Sequence, residues 1–123
     1  MKATATRIQV NELRLYGFHG VSAEEQQVGN WYLIDIDLEA HISVDALSHD
    51  NLSGTIDHAT IVEAVKREFN TKSHLLENVA YRIVKRLFAL SHRVQEVHIK
   101  VQKLAPPIAE NIRSTSVEFR YVN

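Results

Sequence analysis

The sequence predicts an α+β fold in which a four-stranded antiparallel sheet carries two helices on one face. Apolar and polar residues alternate in four separate stretches, the last from Ser114 to Val122, which is the period of strands with one buried face. Between the second and third stretches, apolar residues recur twice at helical spacing. The predicted order is strand, strand, helix, helix, strand, strand, and residues 1–123 are expected to form a single domain.

The first two strands are close together in the chain. The alternation from Arg7 to Leu15 changes parity across Asn11 and Glu12, which predicts a β-bulge. The second strand is predicted over Trp31 to Val44, where the alternation is the clearest in the sequence. Because the connection between them is too short to hold a crossover helix, we expect the two strands to pair in antiparallel fashion.

The middle of the chain predicts a loop followed by two helices. Residues 45–54 are rich in Asp, Asn, Ser and Gly and are expected to form the loop. The first helix is predicted from about Ala59 to Asn70 with Asp57 as its cap, and the second from about His74 to Leu90 with Ser73 as its cap. Two helices on one face leave the other face polar and the sheet edges unpaired, and such edges often serve association.

The third strand contains a lysine in an unusual phase. Val97, Ile99 and Val101 form its apolar side, and Lys103 falls on that same side just before Ala105-Pro106-Pro107. A desolvated amine at a strand end is suited to proton exchange near neutral pH. A lysine at a strand end can equally extend its ammonium to water. The pattern alone leaves both interpretations open.

Composition excludes several classes of function. The net charge of −1 favours neither nucleic acid nor an anionic membrane as a partner, and without cysteine there is no disulfide or thiolate site. No stretch approaches the ~20 apolar residues of a membrane span, so we expect a soluble, cytoplasmic protein. The seven histidines lack the spacing of metal ligands, and we predict no metal.

Three further residues are candidates for chemistry. Glu77 lies at the start of the second predicted helix, where a carboxylate is also favourable near a helix N-terminus without any other role. Glu25 lies in a polar turn and is either functional or simply solvated. His58 precedes the first predicted helix and is either a proton carrier or part of the start of that helix.

Four motifs occur in order over nearly the whole chain. They are Leu15-Tyr16-Gly17-Phe18-His19-Gly20-Val21 with Glu24, Glu25 and Gly29; Thr55-Ile56-Asp57-His58; Leu75-Leu76-Glu77 with Ala80 and Ile83; and Val101-Gln102-Lys103 with Pro106-Pro107-Ile108. In this combination the chain resembles the dihydroneopterin aldolase family of folate biosynthesis. The resemblance implies the tunnelling fold, in which subunits join their sheets into rings, commonly an octamer of two stacked tetramers.

The resemblance also implies a reaction and roles for particular residues. The reaction is a retro-aldol cleavage of dihydroneopterin to hydroxymethyl-dihydropterin and glycolaldehyde, which needs no cofactor, Schiff base or zinc. The pterin is expected between adjacent subunits, held by Glu77 and by groups at Leu76 and Thr55-Ile56-Asp57. Lys103 is expected to act as acid and base, with Glu25 close to the reacting side chain.

One residue departs from the family pattern. His58 occupies the position where the family usually has a tyrosine that shares the proton transfer. An imidazole can also donate and accept a proton, and it has a much lower ordinary pKa than a phenol. Two alternatives therefore accompany the aldolase: an epimerase acting on dihydroneopterin or its triphosphate, and a ring-forming pterin-binding protein without catalysis.

Overall fold

In the computed structural model, which describes residues 1–106 and 111–123, four strands form one antiparallel sheet. The strands are β1 (Arg7–Gly17), β2 (Asn30–Ala40), β3 (Val94–Leu104) and β4 (Ser114–Val122). The helices are α1 (Ala23–Val28), α2 (Val44–His49), α3 (His58–Phe69) and α4 (Leu76–Leu90), with a 3₁₀ turn at Leu52–Gly54. Each strand pairs with the next one along the chain, and the predicted fold class is confirmed.

Two segments that were expected to be irregular contain short helices. Ser22 caps α1, its hydroxyl accepting from the backbone N–H of Glu25, and Ser43 caps α2 in the same way through Ala46. The prediction of a loop over residues 45–54 was therefore wrong for its first half. A hydroxyl cap satisfies a free N–H of the first turn, so a polar segment can form a helical turn without an apolar period.

The predicted boundaries needed two further corrections. The second strand ends at Ala40 rather than at Val44. Ser73 does not cap α4: the helix begins after Leu75, no side chain in the described part of the chain caps it, and the Ser73 hydroxyl donates to Asn78 Oδ1 at 2.6 Å. The bulge in β1 is confirmed, with a register shift between Val10 and Leu13.

The core lies between the sheet and the two long helices. Its fully buried members come from β2, α3, α4 and β3; they include Ile34, Ile36, Leu38, Ile61, Val65, Val79, Ile83, Leu87, Val97, Ile99 and Val101. Burial of this apolar surface is the main driving force for the fold. In the two described ranges, no helix has the length and apolarity needed to cross a membrane.

Candidate active site

Lys103 is buried and paired. Its side chain is 11% exposed, and its ammonium donates to Glu25 Oε2 at 2.6 Å. The residue shares the buried face of β3 with the core valines and lies between Tyr32 of β2 and Thr115 of β4 in the sheet register. The interpretation in which the ammonium extends to water was therefore wrong, because it is bound to a carboxylate, while its part in proton exchange stays a prediction.

Glu25 is held in place from both sides. Its backbone N–H donates to the Ser22 hydroxyl at 3.2 Å, which is an N-cap bond, and the same hydroxyl donates to Glu25 Oε1 at 3.2 Å. The hydrogen bond from Lys103 is the main cause that lowers the pKa of Glu25 below its ordinary value. Glu25 is therefore an ionised acceptor at neutral pH.

Gly20 makes this placement of Glu25 feasible. A Cβ atom at Gly20 would collide with Oε2 of Glu25, and it would lie 2.6 Å from the Cβ and Cδ atoms of the same side chain. Only a residue without a side chain therefore leaves room for the carboxylate over the turn. The glycine of this motif is thus a steric requirement of the ion pair.

Two cavities meet at the Lys103–Glu25 pair. The first has a volume of about 220 Å³, and besides the pair it is lined by Val21, His74, Leu75, Leu76, Glu77, Pro106 and Thr115. The second has about 190 Å³, and besides the pair it is lined by His19, Glu24, Val28, Gly29, Asn30 and Ala105. The first combines apolar walls with a carboxylate that has no ion-pair partner among the described residues, an arrangement suited to a flat heterocycle with N–H donors.

The structure brings together some predicted site residues and leaves others apart. Lys103, Glu25, Glu77 and Leu76 line one cavity. The segment from Thr55 to His58 lines neither of the two cavities. Its Asp57 caps α3, accepting from a backbone N–H at 2.9 Å as predicted, while Ile56 is buried in the core and His58 is exposed.

Two buried residues beside the site were not singled out by sequence reasoning. His19 accepts from the Ser73 N–H through Nδ1 at 3.1 Å, and its carbonyl accepts from the Tyr32 hydroxyl at 2.8 Å. Burial, assisted by the charge of Arg82, lowers the pKa of His19 to about 4, so its imidazole is neutral at pH 7. The parity of Tyr32 with Ile34 would have indicated its burial, whereas His19 lies in a turn without any periodic signal.

The comparisons with known proteins agree with this geometry. The sequence model of the dihydroneopterin aldolase family matches residues 8–120. A dihydroneopterin aldolase of Staphylococcus epidermidis is 31% identical over 112 residues, which covers 90% of this chain and 92% of that protein.

Solved structures show the same fold. Escherichia coli dihydroneopterin aldolase in complex with neopterin has a TM-score of 0.83 at 22% identity, covering 94% of this chain and 98% of that one. A Burkholderia dihydroneopterin aldolase bound to guanine has a TM-score of 0.77 at 18% identity, covering 97% and 92%. Because the family model spans nearly the whole sequence and the fold agrees, this chain belongs to the dihydroneopterin aldolase family.

Proposed function

We propose that the protein is a lyase that cleaves dihydroneopterin to hydroxymethyl-dihydropterin and glycolaldehyde. The observation that carries this proposal is the buried Lys103–Glu25 ion pair at the wall of a cavity that also contains Glu77. A retro-aldol reaction needs proton transfer at the substrate side chain and an anchor for the ring, and this cavity offers groups for both. The name of the Staphylococcus epidermidis relative supports the same reaction.

Glu77 is suited to anchor the pterin ring. The 2-amino group and the adjacent ring N–H of a pterin present two parallel donors, which a carboxylate accepts as a bidentate, charge-assisted contact. Guanine and neopterin, the ligands of the two structural neighbours, share this donor edge. The apolar side chains of Leu76, Val21 and Pro106 line the same cavity and are placed to pack against the ring faces.

Lys103 is suited to move the protons. One proton leaves the hydroxyl on the second carbon of the substrate side chain, and the bond between the first and second carbons then breaks. The electron pair passes to the dihydropterin ring system as an enol, and a proton returned to the first carbon gives the hydroxymethyl product. We assign these transfers to Lys103 acting through water, with a share for His58 of an adjacent subunit, and Glu25 fixes the ammonium by its 2.6 Å contact. Such general acid–base catalysis contributes about 10²- to 10⁴-fold.

We infer that the complete site needs an adjacent subunit. The segment from Thr55 to His58, including Ile56 and Asp57, lies away from the cavity of its own chain, which fits a contribution to a neighbour's cavity. β1 and β4 are the outer strands of the sheet within the described residues, and open edges of this kind allow sheets to join. A ring, with an octamer of two tetramers as the expected assembly, satisfies both observations. The cytoplasm remains the expected location.

The reaction is tested by incubating the purified protein with dihydroneopterin and separating the products by chromatography. Release of glycolaldehyde together with hydroxymethyl-dihydropterin is the expected result. Isomerisation without aldehyde release would contradict the proposal and favour the epimerase. Binding without turnover would contradict it in favour of a non-catalytic pterin-binding protein.

The shared site is tested by mixing subunits. Lys103→Ala and His58→Ala proteins are each expected to be impaired, and oligomers reassembled from a mixture are expected to regain activity. In such a mixture, some sites combine an intact Lys103 from one chain with an intact His58 from its neighbour. No gain on mixing, or a stable monomer by light scattering, would contradict the shared site.

A further inference from the structure

A single arginine holds the linker between α3 and α4, defined here as residues 70–75. Arg82 lies on α4, with its guanidinium pointing back to the linker. Its Nη2 donates to the Thr71 carbonyl at 2.8 Å and to the Ser73 hydroxyl at 2.8 Å, and its Nη1 donates to the Glu68 carbonyl near the end of α3. The Glu68 carbonyl also accepts from the Thr71 N–H at 3.3 Å, so the guanidinium adds a second donor at the end of α3 and ties it to the carbonyl and hydroxyl of the linker.

The same linker contacts the turn at His19 and Gly20, and it contacts α1, the helix that carries Glu25. The Ser73 carbonyl accepts from the Gly20 N–H at 3.0 Å, and the Ser73 N–H donates to His19 Nδ1 at 3.1 Å. His74 contacts Gln26 of α1 at 2.8 Å between Nδ1 and Nε2. Three hydrogen bonds therefore fix the linker against the glycine turn and α1, and movement of the linker would be transmitted to both.

The linker also leads directly into the wall of the first cavity. Leu75 ends the linker, and Leu76 and Glu77 follow it as the first residues of α4, all three lining that cavity. Arg82 itself lines neither of the two cavities at the ion pair. Its hydrogen bonds therefore act on the chemistry through the residues that do line them.

We infer that Arg82 is a positioning residue: by fixing the linker, it sets Glu25 at hydrogen-bond distance from Lys103 and holds Glu77 in the wall of the same cavity. The expected loss of activity rests on the proposed function. The expected loosening of the linker and of α1 rests on the contacts alone. A guanidinium suits this task because its planar fork presents several N–H donors in fixed directions, which an ammonium cannot reproduce.

The test compares Arg82→Met with Arg86→Met. Arg86 lies one turn further along α4, and among the described residues its side chain donates only to the Glu68 carboxylate. Its variant therefore removes a charge from the same helix without changing a contact to the linker. In Arg82→Met, we expect kcat to fall about 10- to 100-fold, since small displacements of catalytic groups are costly. We also expect faster amide hydrogen exchange in residues 18–28 and 70–77. Arg86→Met should match the wild type in both measurements.

Two further variants keep the inference testable if Arg82→Met does not fold. Arg82→Lys retains the cation and should recover part of kcat, and Ser73→Ala removes one acceptor of Arg82 and should lower kcat by a smaller factor. Wild-type kcat and exchange in these variants, or equal losses in the Arg82 and Arg86 variants, would overturn the inference. If the wild type does not cleave dihydroneopterin, the proposed function fails, while the exchange measurement still decides whether Arg82 fixes the turn.

Discussion

Lys103 Nζ lies 2.6 Å from Glu25 Oε2, an ion pair between residues 78 positions apart in the sequence. Both side chains are mostly buried, at 11% and 18% exposure. Removing one partner from such a pair leaves an uncompensated charge with little access to water, which is more costly than losing an exposed pair. The pair therefore joins the end of β3 to α1, and each charge depends on the other for its place in the site.

Lys103→Met should abolish turnover while leaving pterin affinity close to that of the wild type. The substitution keeps the apolar stem but removes the proton donor, and loss of a general acid–base group costs about 10²- to 10⁴-fold. Product release and pterin fluorescence titration measure the two quantities separately. Near-normal turnover in this variant would contradict the role given to Lys103.

Glu77→Gln should weaken pterin binding with little effect on stability. Glu77 is exposed and has no ion-pair partner among the described residues, so the fold does not depend on its charge. A neutral amide replaces one charge-assisted acceptor with a donor, and we expect the dissociation constant to rise about 10- to 100-fold. Equal affinity in the two proteins would exclude Glu77 as the anchor of the ring.

Gly20→Ala should displace Glu25 and lower turnover. The new methyl group would collide with the Glu25 carboxylate, which must then leave Lys103. Misplacement of a catalytic group costs about 10²-fold in rate. Because both changes would remove the same contact, Glu25→Ala should cost less in the Gly20→Ala background than in the wild type. Fully additive losses would show that Gly20 acts independently of Glu25.

The sequence predicted the sheet and the long helices because their signals are periodic and local. Alternation placed Lys103 on the buried face of β3, and apolar spacing at Val79, Ile83 and Leu87 placed α4. The helices α1 and α2 were missed, since their stability comes from the hydroxyl caps Ser22 and Ser43 rather than from an apolar stripe.

The site was less accessible to sequence reasoning. The alternation of β3 placed Lys103 among the apolar residues and so indicated that it was unusual. The residues around it did not indicate that Glu25 would be its partner, because their contact depends on how α1 packs against the end of the sheet. Arg82 likewise donates to the carbonyls of Thr71 and Glu68. Because every residue has a backbone carbonyl, a sequence pattern does not show which of them accepts such a bond. The family resemblance predicted site roles for Glu25 and Glu77. The structure adds that both residues line one cavity together with Lys103.

His19 should make the protein less stable in mild acid. Burial lowers its pKa to about 4 from an ordinary value of 6.5, so between these pH values the unfolded chain binds a proton that the folded chain excludes. Stability is therefore fully present above the ordinary value and is lost as the pH falls toward 4. The expected loss between about pH 7 and about pH 5 is roughly 2 kcal/mol.

Urea unfolding of the wild type and of His19→Asn measures this effect. The asparagine oxygen can accept from the Ser73 N–H as Nδ1 does, but it does not titrate in this range. The variant should be less stable at neutral pH and should show a smaller loss between the two pH values. An equal pH dependence in both proteins would assign the effect to another group.

His58→Tyr should change the pH dependence of turnover if the residue takes part in proton transfer from an adjacent subunit. His58 is exposed at the start of α3, so the larger phenol can be accommodated without disturbing the core, and the melting temperature should be unchanged. A phenol and an imidazole differ widely in their ordinary pKa values, so a proton donor or acceptor at this position would work in a different pH range after the substitution. The rate profile should then change shape, together with the ratio of cleavage to isomerisation. Turnover is measured from about pH 5 to about pH 10 in the wild type, in His58→Tyr and in His58→Gln. The glutamine keeps polarity at this position but does not titrate. If all three proteins have the same rate and the same profile, His58 is peripheral and Lys103 moves both protons without it.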